Sequence, residues 1–239
     1  MPDASPLFEF AGVGVRGDGR WRLRGVDAVV PDRGITALVG PSGSGKSTML
    51  RCCNRLEVPD EGSVRFRGAE VATTDVLALR RRVGMVFQRP TPFPGTGLDN
   101  LRVADPTMTS DAGEQVLARV GLAADFLARD AMSLSGGEAQ RLCLARSLTA
   151  QPEVLLMDEV TSSLDASSRN ALEDLARMLC DDGVPLLWVT HDFAQVTRVA
   201  TTVLVVIDGR VAHAGPLEQL GVGAPTDVLD FLREASGAE

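Results

Sequence analysis

Apolar and polar residues partly alternate in "LFEFAGVGV", "WRLRGVDAVV" and "SVRFRG", three stretches separated by Gly, Asp and Pro turns. A period of two puts every second side chain on one face, so these stretches read as strands. "GITALVG" is a short apolar run that reads as a buried strand. It feeds a glycine-rich loop and then a helix, "KSTMLRCCNRLE", which stops before "VPDEG". "RVGMVFQ" is a second buried strand, ending at Gln88, and "RPTPFPGTG" behind it is a loop or boundary. From about Leu98 to Ala131 the pattern turns helical, in "DAGEQVLARVGL" and "AADFLARDA". "SLSGGEAQRLCLARSLTAQP" opens on small residues and runs as a helix to Pro152.

Strand and helix then alternate through "EVLLMDE", "SSRNALEDLARMLCDDG", "PLLWVTH", "FAQVTRVA" and "TVLVVIDGRVAHAG". That alternation implies an α/β fold with a mostly parallel sheet covered by helices. The helical stretch interrupts it and reads as a lobe inserted at residues 89–133, between 1–88 and 134–239 of a single domain.

Composition narrows the function classes. A net charge of −8, no tyrosine and 4% aromatic residues argue against broad contact with nucleic acid. The longest apolar runs fall far short of the roughly 20 residues that a membrane span needs. "MPDASPLFEF" lacks the basic and apolar segments of a signal peptide. Any work at a membrane therefore needs other chains to cross it. Cys52, Cys53, Cys143 and Cys180 show no metal-binding spacing and read as buried reduced thiols.

Lys46 is the only lysine among 24 basic residues, and it sits inside "GPSGSGKS". This stretch fits G-x-x-x-x-G-K-[ST] with a strand before it and a helix after it. Gly40, Pro41, Ser42, Gly43, Ser44 and Gly45 let backbone N–H groups wrap a polyphosphate closely. Lys46 is expected on the β- and γ-phosphates, Ser47 on Mg²⁺ and Thr48 near the α-phosphate. An ammonium is a compact point charge that fits such a cradle, where a guanidinium fork does not. "EVLLMDE" brings Asp158 to the end of a buried strand, suited to hold Mg²⁺ through water. Glu159 follows, placed to orient or deprotonate a water. A plain glycine turn and a solvated strand end are the structural alternatives. In "LSGGEAQR", Ser135, Gly136 and Gly137 open a helix and form a second anion site, or a simple helix cap.

With "LSGGEAQR" the chain resembles the ATP-binding cassette (ABC) ATPases, the motor subunits of ABC transporters. The glycine loop, Gln88, "LSGGEAQR", "LLMDE", "SSLD" and "VTHD" follow in the family's order across nearly the whole chain. The resemblance implies a P-loop core with an N-terminal antiparallel β subdomain and a small helical subdomain. It implies ATP and Mg²⁺ as cofactors and a head-to-tail dimer, here a homodimer. In that dimer Ser135 and Gly137 of one subunit close the nucleotide held by the other. Gln88 is then expected at Mg²⁺ or the lytic water, His191 at the γ-phosphate and that water, and Asp165 across the interface. Integral membrane permease subunits, and a solute-binding protein reached through them, are the implied partners, with the chain at the cytoplasmic face of the membrane. His213 has no partner motif and reads as structural or surface.

The sequence departs from the family's pattern in two places. An aromatic ring about 30 residues before the lysine usually stacks on adenine; that position falls near Arg16 and Gly17, leaving Arg16 or Trp21 for the base. Many members read "DEPTSALD" where this chain has Val160 and Ser163, and neither change removes a catalytic atom. "VFQRPTPFPGTGLDNL" looks like the Gln loop of phosphate-importer ATPases, whereas "DEVTSSLD" and "LLWVTHD" resemble a small cassette class associated with metal export. A regulatory cassette that moves no solute is a further reading. A GTPase switch is disfavoured, because one lysine at position 46 leaves no guanine-reading Asn-Lys-x-Asp.

Overall fold

A computed structural model describes residues 5–162, 164–235 and Gly237. The alternating N-terminal stretches form β1 (Phe8–Gly17) and β2 (Arg20–Val30), an antiparallel pair with Phe8 opposite Val30 and Arg16 opposite Trp21. β3 (Ile35–Val39) is buried at every position and leads through the glycine loop into α1 (Lys46–Cys52). β4 (Glu61–Phe66) and β5 (Ala69–Glu70) return to the first sheet, whose order is β2-β1-β4-β5. α2 (Val76–Arg82) then runs directly into β6 (Val83–Val86).

Between β6 and the next strand every element is helical: α3 (Gly97–Arg102), α4 (Ser110–Arg119), two short 3-10 turns and α5 (Gly136–Thr149). The chain continues as β7 (Val154–Asp158), α6 (Ala166–Asp181), β8 (Leu186–Val189), α7 (Phe193–Val199), β9 (Thr202–Ile207), β10 (Arg210–Pro216) and α8 (Thr226–Ala235). The second sheet has the order β10-β9-β3-β8-β7-β6, parallel except for the β9–β10 pair. The expected α/β class, parallel core and separate antiparallel sheet are all present.

Two hydrophobic layers fix this sheet. On one side Leu38, Leu187 and Leu204 pack with Met49 and Leu50 of α1 and with Phe8 and Phe66 of the first sheet, whose rings lie 5.1 Å apart. On the other, Leu155, Met157 and Trp188 pack against Leu172, Leu175 and Leu179 of α6 and against α5. Arg67 pairs with Asp32 and with Glu153 (3.0 Å), adding a polar link between the sheets.

Several boundaries differ from the sequence reading. α1 stops at Cys52 because Asn54 and the left-handed Arg55 (φ 57°) turn the chain. "AADFLARDA" makes only a 3-10 turn, Ala124–Leu127, before Asp130 caps the next one. The sequence reading places no helix at α2 or α8. α2 buries only Leu79, too little for a legible helical stripe, whereas α8 sets Val228, Phe231 and Leu232 at helical spacing against the core and was missed despite that pattern. Cys180 is half-buried while the other three thiols are fully buried, and burial pushes Cys52 up to about 12. Among the described residues no helix is long and apolar enough to cross a membrane.

Trp188 is the largest fully buried side chain and stands between Ala37 and Met157 on neighbouring strands. Trp188→Ala is expected to cost about 3–5 kcal/mol, read from the urea midpoint with an unchanged slope.

Candidate functional site

The parallel sheet brings the ends of β3, β7 and β8 to one edge, where the loops that follow them meet. Gly40 leaves β3 with φ 144°, and a Cβ there would lie 2.0 Å from the Val206 carbonyl. Gly45 caps α1 at φ 106°, where a Cβ would lie 2.5 Å from the Arg22 carbonyl. Only glycine fits both positions, so the loop is pressed between β9 and β2. Lys46 is buried, and its Nζ donates back to the Gly40 (2.9 Å) and Pro41 (2.7 Å) carbonyls. Burial lowers its pKa, while the Glu159 and Asp158 carboxylates oppose that shift.

The loop and the acids share one site. Ser47 Oγ donates to Asp158 Oδ1 at 2.6 Å, and Arg51 donates to Asp158 Oδ2 at 3.1 Å. Glu159 takes a left-handed backbone (φ 47°), and its N–H donates to the Val189 carbonyl, which ties the ends of β7 and β8 together. Gln88 Nε2 donates to Glu159 Oε2 at 3.1 Å, and His191 Nδ1 lies 3.5 Å from the same oxygen. Two predicted residues from two other loops thus converge on the Glu159 carboxylate. A cavity of about 390 Å³ is lined by the loop residues Ser42, Gly43, Gly45, Lys46, Ser47 and Thr48, together with Arg22 and Glu159.

This donor set fits a phosphate ester and a hard cation. The loop offers backbone N–H groups and one ammonium; the cation side offers a hydroxyl and a buried carboxylate only 2.6 Å apart. Mg²⁺ commonly takes one or two protein oxygens and fills its remaining positions from phosphate and water. Among the described residues no cluster of three or more His, Cys, Asp or Glu side chains could hold a metal alone.

Other predicted residues lie outside this cavity. Ser135 is engaged by its own helix: its Oγ accepts from Glu138 N (3.4 Å), and Glu138 Oε2 accepts from Ser135 N (2.8 Å). Gly137 packs where a Cβ would come within 2.9 Å of Ser168 Oγ, and Gly136 has open space around it. Asp165 caps α6 through the Ser168 N–H and hydroxyl, and those hydrogen bonds hold its carboxyl below the usual range. Val160 is buried, whereas Ser163 lies outside the described residues. His213 is half-buried on β10, with its Nε2 enclosed and unbonded.

Arg16 also stands apart, its guanidinium 4.3 Å from the Trp21 ring centre and 3.9 Å from Glu61. The two residues expected at the base are stacked on each other, and Arg22 lines the cavity instead. Arg22 pairs with Asp18 (3.1 Å) and Glu57 (3.6 Å), and its guanidinium crosses the space that a Cβ on Gly17 would fill. The glycine at position 17 was the available signal, because it vacates room for a side chain from the neighbouring strand. Gln140 is a second missed residue: fully buried in α5, it donates to the Phe87 carbonyl (3.1 Å) and so anchors the backbone next to Gln88.

Known proteins resemble this chain in sequence and in fold. A family model described as ABC transporter matches residues 23–162. The chain is 41% identical over 227 residues to "ABC transporter I family member 17" of Arabidopsis thaliana, covering 93% of this chain and 86% of that protein. It is 35% identical over 233 residues to "Phosphate import ATP-binding protein PstB 2" of Lactobacillus acidophilus, covering 90% and 92% of the two chains. Among solved structures, cbiO1 of Clostridium perfringens, part of the ABC transporter complex cbiONQ, superimposes with a TM-score of 0.79 at 23% identity, covering 96% of this chain and 95% of that one. The chain belongs to the ABC transporter family, as one of its ATP-binding subunits.

Proposed function

We propose that this chain is an Mg²⁺-dependent ATPase that drives solute movement through separate membrane subunits, and that the solute is phosphate. The convergence of Gln88 and His191 on Glu159, beside the phosphate loop, carries the catalytic reading. Ser47 and Asp158 would hold Mg²⁺, which supplies charge neutralisation for the departing phosphate oxygens. Lys46 exchanges its two loop carbonyls for phosphate oxygens. Glu159 Oε2, steered by the Gln88 amide and the His191 ring, takes the proton of the attacking water. Arg22, which lines the cavity, would offer its guanidinium plane to the base.

Ser135, Gly136, Gly137 and Asp165 are then left for a second copy of the chain in a head-to-tail homodimer. Residues 89–133 form the lobe that faces permease subunits at the cytoplasmic side of the membrane. The phosphate assignment is supported by the likeness to the phosphate-import protein and by the Pro-Phe-Pro of residues 92–94.

Glu159→Gln is expected to lower ATP turnover by about 10²–10⁴-fold while ATP binding and a stable dimer persist, read by phosphate release and light scattering. Turnover at the normal rate would remove Glu159 from the base role. Arg22→Ala should weaken ATP binding about two- to fivefold, the worth of an exposed cation–π contact, and Arg16→Ala should change it less; calorimetric titration reads both. The complex copurified with its membrane subunits and placed in vesicles should take up phosphate on ATP addition. An ATPase indifferent to phosphate and to its binding protein would rule that solute out.

A further inference from the structure

Beneath Glu159 and His191 lies a polar chain in which Thr161, Gln195 and Glu173 are each 5% exposed or less. Thr161 sits two residues after Glu159, in a turn closed by the Ser162 N–H on the Glu159 carbonyl (3.1 Å). Gln195 lies in the first turn of α7, four residues after His191, and its backbone N–H donates to the Asp192 cap (3.0 Å). The Thr161 hydroxyl meets the Gln195 amide at 3.3 Å from Oε1 and 3.2 Å from Nε2. Gln195 Nε2 also donates to Glu173 Oε1 at 3.0 Å, and Arg198 grips both Glu173 oxygens at 2.9 and 2.8 Å.

Stability alone does not account for this chain. A buried carboxylate costs several kcal/mol to desolvate, and an apolar packing of similar volume often does as well or better. Its placement is more telling. One end is fixed to the loop that carries Glu159, and its middle to the helix that begins just behind His191. Because Glu173 only accepts, it holds the Gln195 amide with Nε2 towards itself, so the amide cannot turn freely away from Thr161.

We infer that Glu173, Gln195 and Thr161 form an internal brace that sets the position of Glu159 relative to His191 and the attacking water, making Thr161 and Gln195 positioning residues for hydrolysis. This rests on the proposed base role of Glu159.

The test uses the full chain and isosteric changes. Thr161→Val removes the hydroxyl and keeps the volume; it should lower kcat for ATP about tenfold, the scale of a small misplacement of a reacting group. KM and the ATP Kd should stay within about twofold, because the phosphate loop is untouched. Thr161→Ser, which keeps the hydroxyl, should restore most of the lost kcat. In a Glu159→Gln background, Thr161→Val should cause no further loss, since the brace acts through that carboxylate. If Thr161→Val does not fold, Gln195→Met decides, with the same kcat loss at unchanged KM expected. Wild-type kcat in the folded variant, or an equal loss in the Glu159→Gln background, overturns the brace. If Glu159→Gln itself turns over normally, the base assignment falls, and the inference falls with it.

Discussion

Parallel pairing of β3 between β8 and β9, and of β8 with β7, is the constraint on which everything else depends. Because these strands run the same way, each ends on the same edge and must be followed by a crossover. Lys46, the Asp158–Glu159 pair and His191 are far apart in sequence and near in space for that reason. Their burial pattern secures the register: β3, β7 and β8 are enclosed at every position, so a slip would carry apolar side chains out of both layers at once. The first sheet matters to the site at fewer points, chiefly through the Arg22 carbonyl packed on Gly45 and the Arg22 side chain at the cavity.

Legibility followed the physical origin of each signal. The buried strands could be read because continuous apolar runs mark them, and the phosphate loop because its glycines and single lysine are constrained by contact. Gln88 and His191 came from resemblance, since neither residue type nor spacing announces a polar side chain aimed at a carboxylate from another loop. Arg22 was missed for a different reason. β1 and β2 shift register between Phe10 and Arg16, so counting alternate residues no longer tells which side chains reach the loop. Gln140 and Gln195 look like ordinary helix-surface residues until the packing encloses them. α2, burying only Leu79, never developed a stripe for periodicity to detect, whereas α8 has one in Val228, Phe231 and Leu232 that the reading passed over.

The site combines two kinds of polar contact with different energetic logic. Pairs at the rim, such as Arg22 with Asp18, hold a side chain in a preferred orientation and contribute little net stability. Enclosed ones, such as half-buried Ser47 with buried Asp158 and Gln195 with Glu173, are costly to leave half-made, so each fixes its neighbour's geometry. The carboxylate at the centre, Glu159, belongs to neither class: it is partly open and is approached by donors from two loops.

The folded-back lysine has a consequence for selectivity. Lys46 spends two of its three N–H donors on loop carbonyls, so an arriving anion finds one donor free and must displace those carbonyls to engage the other two. A lone anionic oxygen can take the free donor and displaces nothing. Adjacent phosphoryl groups present enough charged oxygens to fill the free donor and replace both carbonyls. Ligand capture at this loop is thus an exchange reaction, and its stoichiometry favours polyphosphates over single anions before any base or metal has been recognised.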